Sequence, residues 1–544
     1  MSQQEADIDA IEVHYSAAPG TEILYDVAED GTGSSKLHRL QHVKSKSGDG
    51  HLLLVPQPSL TDPNDPLRWS TMKKWTTFLN ALGFSFMGSV TGPIMTGWMV
   101  EAAAFYNTSI QRMSYTVGAT LICQGCATAL WMPFAVKFGR RPVYLFSNLL
   151  MGVACIWLAS ASKTTYTSFL VGRAFLGVFE APMESIVPST VTDMFFLHDR
   201  GAKVSYYGLS VLGGNELGPM LSALIIQSLG MAWAFYIVAI FIFANSVTQF
   251  FFMPETMYLG PRPSLELHED KPDEKGRASA HIEITDADGA QVPKKTFLQE
   301  LSFWGINDHS VSLWQAFARP FVLLAYPTVV WSCCCYGMAL SWNVILATTN
   351  GQLFSPPPYS FNAAAQGLVF GAPLIGSLVG TYLCGPVADS IANYFTRRNH
   401  GIREPEMRLP TCIIAAMLTF IGALISALCF HYKTRWIGPV MGYGILSAGS
   451  QMGSTLAMSY ALDCHKELSV ELMVTIASLK SAVAWIWTWV VNDWLNRNGP
   501  LVVLLVVMAI NIAVYASSFL LYRYGKSIRM WLHHKNFLGA CGLA

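Results

Sequence analysis

Three ionisable residues, Arg173, Glu180 and Glu184, stand within an apolar stretch near residues 166 to 192. With Gly177 between them, their spacing of four, three and four residues places them along one stripe of an α-helix. Burial away from water favours a protonated carboxyl, whereas a nearby arginine favours the charged form. Alternation between these forms can take up and release protons, so the stripe is a candidate proton-coupling site. The alternative is a static ion pair or a lock between helices.

Two further ionisable residues interrupt other apolar stretches. Glu216 has no cation near it along the chain, so the sequence predicts a partner from another helix. Lys480 lies in the stretch near 471 to 493. Its ammonium group could bind an anionic substrate, respond to the protonation of a carboxyl or bridge helix-end carbonyl groups. Both residues are therefore candidates for proton coupling or for the lining of a cavity.

Aromatic and amide side chains are the candidates for direct substrate contact, because rings stack and an amide both donates and accepts hydrogen bonds. They occur close together in one apolar stretch, at Trp331, Tyr336, Trp342 and Asn343. An interior lined mainly by aromatic and apolar groups with a few charges suits an amphipathic organic molecule better than a sugar or a simple ion. The sequence therefore predicts an amphipathic organic substrate.

The composition places these residues in a membrane protein. Of 544 residues, 52% are hydrophobic and 13% are charged, against roughly 25% charged in ordinary soluble domains. This excludes a soluble globular enzyme. The 35 basic and 35 acidic residues balance, so no basic footprint for nucleic acid is present. The eleven cysteines lack metal-ligand spacing and no nucleotide-binding motif occurs, so no catalytic residue, metal or cofactor is expected.

Twelve apolar runs of about 20 residues are each long enough to cross the hydrocarbon core of a bilayer as a helix. The sequence therefore predicts an all-α membrane protein with twelve transmembrane helices in two pseudo-symmetric six-helix bundles. The helices are named spans 1 to 12 in chain order. They are predicted near residues 75 to 98, 112 to 134, 143 to 160, 166 to 192, 203 to 227, 231 to 253, 320 to 347, 363 to 388, 409 to 430, 436 to 462, 471 to 493 and 500 to 522.

The predicted spans divide the chain into five regions. A largely disordered cytoplasmic tail, 1–74, precedes the N-terminal bundle, 75–253. A charged cytoplasmic linker, 254–319, is expected to be mostly disordered because it is poor in aromatic residues. The end of this linker, LSFWGINDHSVSLWQAF at 301–317, could form a surface amphipathic helix. The C-terminal bundle, 320–522, and a cytoplasmic tail, 523–544, complete the chain.

Basic residues set the predicted orientation, since cytoplasmic loops retain Lys and Arg. Of the 35 basic residues, 28 lie in the tails and even-numbered loops and five lie in the odd-numbered loops. Both termini are therefore predicted to be cytoplasmic. The sequon Asn107-Thr108-Ser109 falls in the first loop, on the predicted outer side, where Asn107 is a candidate for glycosylation. The plasma membrane is the default location, and the vacuolar membrane is the alternative.

The two halves of the chain repeat more than a helix count. FAVKFGRRPVY follows span 2 and GPVADSIANYFTRR follows span 8, and each is a turn with a basic cluster in the equivalent cytoplasmic loop. Spans 4 and 10 also end alike, at Asp193 and Asp463. Two such halves with a site between them are the usual architecture of a secondary transporter that works by alternating access.

The first of these loops resembles a signature of the major facilitator superfamily, G-x-x-x-D-R-x-G-R-R/K. Gly139, Arg140 and Arg141 fit its end, which implies a gating role for them. Met132 and Val136 stand at its first Gly and its Asp, so the charge-pair latch attributed to that Asp lacks its acid in this half. Over about residues 62 to 523, the chain is similar to the fungal twelve-span proton-coupled drug and metabolite transporters of the superfamily.

Two other motifs carry the same resemblance. The second copy of the loop signature keeps Gly385 and Asp389, which are implied gating residues as well. LVGRAFLGVFEAP in span 4 looks like the family's Arg-x-x-x-Gly motif through Arg173 and Gly177. The resemblance implies the twelve-helix fold, and it also places a basic residue at the position of Lys480.

Span 5 contains GGNELGPMLSA, which resembles the antiporter signature G-x-x-x-G-P-x-x-G-G through Gly214, Gly218 and Pro219. Glycines four residues apart let a neighbouring helix approach closely. Pro219 deprives the preceding turn of a hydrogen bond and permits a bend. These three residues are candidate gating residues, and close packing alone is the alternative.

Two functions remain open. The first is proton-coupled efflux of a small amphipathic molecule, a xenobiotic or a secondary metabolite, by alternating access, which the antiporter-like motif favours. The alternative is proton-coupled import of a charged nutrient such as a polyamine or an organic acid. A membrane enzyme is disfavoured because no catalytic constellation occurs. The expected partners are a small-molecule substrate, protons and the lipid bilayer, without nucleic acid, and the chain is expected to be monomeric.

Overall fold

The computed structural model describes most of the chain from Asp62 onward. The described residues are 58–59, 62–260, 293–304, 308, 312–399, 404–465, 468–535 and 537, with the backbone of strand segments 22–23, 42–44, 51–53, 264–269, 280–285 and 402–403. The side chains of 197–202, 389, 397, 469 and 533 lie outside the described part.

Six helical passages correspond to spans 1 to 6 and form the N-terminal bundle. Span 1 is interrupted after Thr91 and span 4 after Glu180, and Gly230 with its positive φ of 88° separates spans 5 and 6. The helices are Thr71–Thr91, Thr96–Trp98 and Met99–Phe105 in span 1, Ile110–Lys137 in span 2, Arg140–Ala161 in span 3, Tyr166–Glu180, Ala181–Glu184 and Ile186–Met194 in span 4, Leu197–Leu229 in span 5 and Met231–Phe252 in span 6.

Six further passages form the C-terminal bundle. Spans 11 and 12 are separated at Gly499, whose φ of 76° and ψ of 168° are not helical. The helices are Pro327–Phe354 in span 7, Ala363–Leu368, Gly371–Tyr382, the π-helical Leu383–Val387 and Ala388–Arg398 in span 8, Pro405–Thr411 and Cys412–His431 in span 9, Ile437–Cys464 in span 10, and Ser469–Ala516 in spans 11 and 12, followed by Ser518–Lys535.

Nine helical segments of the described residues are long and apolar enough to cross a membrane. One of them, Val470–Leu532, contains both span 11 and span 12. Span 4, which carries three charged residues and a break, and the glycine-rich span 10 complete the twelve passages. The predicted all-α membrane fold of two six-helix bundles is confirmed.

The two bundles meet mainly through spans 2 and 11 and through spans 5 and 8. Small residues make these contacts close: a Cβ at Gly125 of span 2 would lie 3.0 Å from the carbonyl oxygen of Ser478 in span 11. A Cβ at Gly367 of span 8 would lie 2.9 Å from the carbonyl oxygen of Pro219 in span 5. Helices that approach this closely form a continuous boundary between the bundles.

The linker contains more regular structure than its charge predicts. Ser264–Glu269 pairs antiparallel with Ala280–Thr285, because SLELHE and AHIEIT alternate apolar and polar residues over part of their length. Of the segment predicted to form an amphipathic helix, 301–317, only the last five residues are helical in the described part of the chain, where they begin the helix Leu313–Val322. At the other end of the chain, the helix that begins at Ser518 continues to Lys535, beyond the predicted end of span 12.

Candidate functional site

A buried ion pair joins the two bundles. Glu184 of span 4 accepts a 2.7 Å hydrogen bond from the Nζ of Lys480 in span 11, and their side chains are 7% and 3% exposed. Each residue lies about 15 Å along its helix from the end that is predicted to be cytoplasmic. Because Glu184 belongs to the N-terminal bundle and Lys480 to the C-terminal bundle, any separation of the bundles at this level breaks the pair.

Two phenols complete this centre, one from each bundle. The hydroxyl of Tyr207 in span 5 donates to Oε2 of Glu184 at 3.3 Å. The Nζ of Lys480 lies 4.4 Å from the centroid of the Tyr336 ring in span 7, within the range of a cation–π contact. The four residues Glu184, Lys480, Tyr207 and Tyr336 are called the central cluster below. Lys480 bridges no helix-end carbonyl group here, since its hydrogen bond goes to Glu184.

The predicted single stripe of Arg173, Glu180 and Glu184 is divided. The α-helix ends at Glu180 and is followed by a tight 3-10 turn, Ala181–Glu184, with Pro182 in its first turn. A 3-10 turn has fewer residues per rotation than an α-helix. The side chain of Glu184 therefore leaves span 4 on a different side from the side chain of Glu180. As a result Glu180 and Arg173 contact span 1, whereas Glu184 contacts span 11.

Arg173 locks the interruption in span 1. Its fully buried guanidinium donates to the carbonyl oxygens of Thr91 and Gly92, both at 2.7 Å. The last carbonyl groups of a helix have no partner within it, and they attract a cation. Arg173 makes no ion pair with Glu180 among the described residues. The alternative of a lock between helices therefore describes Arg173 better than an ion pair.

Glu180 shares one hydroxyl group with the backbone of span 1. The Oγ1 of Thr91 lies 2.6 Å from Oε2 of Glu180 and 2.6 Å from the carbonyl oxygen of Gly88. A hydroxyl group has one hydrogen and can donate one of these bonds. Both contacts are hydrogen bonds when Thr91 donates to Gly88 and a protonated Glu180 donates to Thr91.

Glu216 is buried without a polar partner in the described part of the chain. The predicted partner from another helix is thus not found there. Glu216 lies one and two turns before Pro219 and Ala223, the residues of span 5 that approach Gly367 of span 8. Its carboxyl therefore belongs to the side of span 5 that faces the C-terminal bundle.

Gly214 and Gly218 lie on a different side of span 5 and pack on span 1. A Cβ at Gly214 would come within 2.6 Å of the carbonyl oxygen of Phe86, and a Cβ at Gly218 within 3.1 Å of Cα of Val90. The expected close approach of a neighbouring helix is confirmed. Pro219 lies within one continuous helix, Leu197–Leu229, and its gating role stays a prediction.

The four predicted substrate contacts separate into two pairs. Tyr336 belongs to the central cluster, and Asn343, two turns later on the same face of span 7, is half-buried. Trp331 donates its ring N–H to the carbonyl oxygen of Val514 at 3.3 Å and packs against Tyr460. Trp342 is buried among apolar residues of the C-terminal bundle. The two tryptophans therefore lie inside one bundle, away from its boundary with the other.

The residues of the first loop signature connect spans 3, 4 and 6 of one bundle. Arg140 pairs with Asp193 at 3.0 Å, and Glu255 accepts the backbone N–H groups of Arg140 and Arg141 at 2.9 and 3.0 Å. Arg141 also donates to the carbonyl oxygen of Phe250 at 2.8 Å. Burial raises the pKa of Glu255, which follows span 6, while these N–H groups oppose that effect.

Gly139 fits the same arrangement. Its φ is 94°, which favours glycine, and a Cβ there would overlap the carboxyl of Glu255. The second half has a matching ion pair, Arg408 to Asp463 at 2.7 Å, at the predicted equivalent of Asp193. Gating by Gly139, Arg140 and Arg141 stays a prediction, since the contacts of the two arginines among the described residues lie within the N-terminal bundle and the linker.

An apolar contact stands where the family signature has its acid. Met132 packs with Val474 of span 11, and Val136 and Phe317 pack against them. Phe317 comes from the linker helix Leu313–Val322. The two residues that depart from the signature therefore join the bundles by apolar packing. In the other half, Gly385 lies in the π-helical turn, and the side chain of Asp389 lies outside the described residues.

Asn107 is exposed, with a φ of 51°, in the short turn between spans 1 and 2, and its glycosylation stays a prediction.

His465 follows span 10 and its Nε2 lies 2.8 Å from the hydroxyl of Thr328. Burial, with a smaller effect of Arg529, lowers the pKa of His465 to about 4. At neutral pH this imidazole is uncharged.

Sequence reasoning missed Tyr207, Thr91 and Phe317. Thr91 had a usable signal, because Gly92 and Pro93 follow it and such a pair interrupts a helix. Tyr207 had none, since its partner Glu184 lies in another span.

Comparison with known proteins agrees with this architecture. Residues 76–467 match the family model described as Major Facilitator Superfamily. The protein HOL1 of Saccharomyces cerevisiae is 24% identical, and the alignment covers 95% of this chain and 96% of HOL1. The MFS-type transporter penM of Penicillium rubens is 26% identical over 79% of this chain and 80% of its own length.

Solved structures share the fold. The proton:xylose symporter XylE of E. coli superimposes with a TM-score of 0.57 at 12% identity, over 83% of this chain and 96% of XylE. The human organic anion transporter MFSD10 gives a TM-score of 0.51 at 15% identity, over 82% of this chain and 98% of its own. With a family model matched over most of its length, this chain belongs to the major facilitator superfamily and is a secondary membrane transporter rather than an enzyme.

Proposed function

We propose that the chain exports a small amphipathic organic molecule, a xenobiotic or a secondary metabolite, in exchange for protons. One observation carries the proposal: Glu180 and Glu216 are both buried in mid-membrane without a cation partner among the described residues. An isolated carboxylate is too costly in such a place, so the group binds a proton and loses it again when water or a cation reaches it.

Movement of the bundles would supply that change of surroundings. On the outer side, Gln111 of span 2 donates to the carbonyl oxygen of Thr488 at 2.7 Å, and Asn492 of span 11 donates to Ser114 at 2.7 Å. These contacts close the boundary between the bundles on that side. Their opening would expose Glu216 to outside water, and their closure would return it to the interior.

The half-buried face of span 7 supports the proposed substrate class. Tyr336, Leu340 and Asn343 lie on one half-buried face of that helix. This face offers a ring, an aliphatic group and an amide. Such a surface suits a molecule with both apolar and polar parts. The whole route lies within one chain, which supports a monomer, and the plasma membrane is the location that an exporter of toxic or secreted compounds needs.

Transport driven by an imposed pH gradient tests the proposal. In sealed vesicles, an inward proton gradient is expected to drive export by the wild type, while Glu180→Gln and Glu216→Gln each abolish the gradient-driven component because a glutamine cannot carry the proton. Glu101→Gln is the matched control, since Glu101 is exposed at the outer end of span 1. Undiminished flux in both interior variants, or net accumulation of substrate on the cytoplasmic side, would overturn the proposal.

A further inference from the structure

We infer that the substrate carries a cationic amine, and that Lys480 occupies the place of this amine when the transporter is empty. The inference rests on the proposed function, because it names the substrate of the same central cluster. Three observations support it: mid-membrane carboxyl groups outnumber mid-membrane cations, both of these cations already have hydrogen-bond partners, and an aromatic ring lies next to Lys480.

The mid-membrane charges favour a cationic guest. Three buried carboxyl groups, Glu180, Glu184 and Glu216, face two buried cations, Arg173 and Lys480. Glu180 and Glu216 can each release the proton that neutralises them, and a positive ligand would then pair with the carboxylate that is left, whereas a negative ligand would be repelled by it.

Neither cation is free to bind an anion. The guanidinium of Arg173 is held by two carbonyl oxygens of span 1, each at 2.7 Å. The ammonium group of Lys480 is held by Glu184 at 2.7 Å. A carboxylate ligand would have to displace a protein carboxylate from Lys480 and leave Glu184 buried without a partner, which is strongly unfavourable.

The surroundings of the Lys480 ammonium group are those of an amine site. Oε2 of Glu184 accepts from it, and the ring of Tyr336 lies 4.4 Å below it. The hydroxyl of Tyr207 lies 3.3 Å from the same carboxylate oxygen and so orients it. A carboxylate and an aromatic face are the groups by which proteins recognise ammonium ligands.

Exchange of one ammonium group for another keeps Glu184 paired both with and without substrate. Lys480 keeps the Glu184 charge paired when no substrate is present. A substrate amine that enters between Glu184 and Tyr336 replaces Lys480 without leaving a bare carboxylate. The flexible four-carbon stem of a lysine permits such a withdrawal. Lys480 is thus an internal competitor of the substrate.

Binding to the purified full-length protein tests the inference with three probes of similar shape: 2-phenylethylammonium, 2-phenylethanol and 3-phenylpropanoate. Calorimetry is expected to detect the ammonium probe and neither of the others. Lys480→Met is expected to tighten binding of the ammonium probe about tenfold, because the competitor is removed. Glu184→Gln is expected to abolish it. Lys203→Met, which removes a lysine from above the Trp75 ring at the cytoplasmic end of span 5, is the matched control and is expected to change nothing.

A cation site and an anion site predict opposite effects of the Lys480 variants on binding. Binding of 3-phenylpropanoate that disappears in Lys480→Met would overturn the inference, and so would ammonium binding that survives in Glu184→Gln. If Lys480→Met does not fold, Lys480→Gln in the presence of wild-type Glu184 provides the same comparison. Weaker binding of the ammonium probe in a folded Lys480 variant would also contradict the inference. These assays use no gradient, so a failure of proton coupling in vesicles leaves their result unchanged, and the two claims can fail separately.

Discussion

Replacing Arg173 with methionine is expected to lower transport about 100-fold while the protein still reaches the membrane. The side chain donates two short hydrogen bonds to the carbonyl oxygens of Thr91 and Gly92. Loss of a charged donor from a buried acceptor costs about 1.5–3 kcal/mol per bond. If the conformation that needs this contact with span 1 is destabilised by about 3 kcal/mol, the rate of transport falls about 100-fold. Initial rates of transport in vesicles with equal amounts of protein provide the measurement.

Two further variants give this result its meaning. Arg173→Lys keeps the charge but concentrates its donors on one nitrogen, so it is expected to recover part of the activity and not all of it. Arg112→Met removes an exposed arginine near the first residue of span 2 and is expected to leave transport unchanged. Full activity in Arg173→Met would show that the interruption of span 1 needs no anchor from span 4.

Reversing the charge of either residue of the Glu184 and Lys480 pair is expected to destabilise the protein by about 3–5 kcal/mol. Each single variant, Glu184→Lys or Lys480→Glu, buries two like charges at a contact of 2.7 Å. The double variant restores one positive and one negative group on the two bundles. Thermal unfolding in detergent is expected to show two strongly destabilised single variants and a double variant close to the wild type.

Transport is expected to recover less than stability in the double variant. The exchange places the carboxylate above Tyr336, where the ring no longer faces a cation. Single variants as stable as the wild type, or a double variant no better than the worse single one, would mean that the two side chains do not meet between the bundles.

The depth and the inward direction of the charged residues could be predicted from the sequence, because an ionisable group in a lipid-crossing helix is retained on the protein side. Arg173, Glu180 and Glu184 all proved buried. The division of their stripe could not be predicted from helical spacing alone, because spacing assumes an unbroken α-helix. Pro182 was the available warning, since a proline inside an apolar run interrupts the hydrogen-bond ladder.

Partners across the molecule were beyond the reach of one sequence. Glu184 and Lys480 are 296 positions apart, and no periodicity within either span specifies the other. Span 7 presents a related difficulty, since it is apolar on almost every side and its pattern does not identify the face toward the other bundle. Tyr336 and Trp342 were therefore equal candidates by sequence, although only Tyr336 lies at the central cluster.

For the departures from the loop signature, the loss of the charge pair could be predicted from the sequence, but the contact that replaces it could not. The absence of the acid at Val136 was plain in the sequence, and it removed the expected charge-pair latch. The apolar contact in its place could not be predicted, because it includes Val474 from span 11 and Phe317 from the linker helix. Apolar packing between bundles depends on three segments that are distant along the chain.

The claim on which the account depends is that the two bundles separate at their outer contact in every transport cycle. Cysteines at Ser114 and Asn492, whose side chains now meet at 2.7 Å between spans 2 and 11, test it in a background without the eleven native cysteines. A short, cleavable thiol cross-linker is expected to stop transport, and reduction is expected to restore it. The same treatment of cysteines at Asn148 and Gln249, which meet at 3.0 Å within the N-terminal bundle, is expected to have no effect. Unchanged transport with the Ser114 and Asn492 positions fully cross-linked would contradict the account.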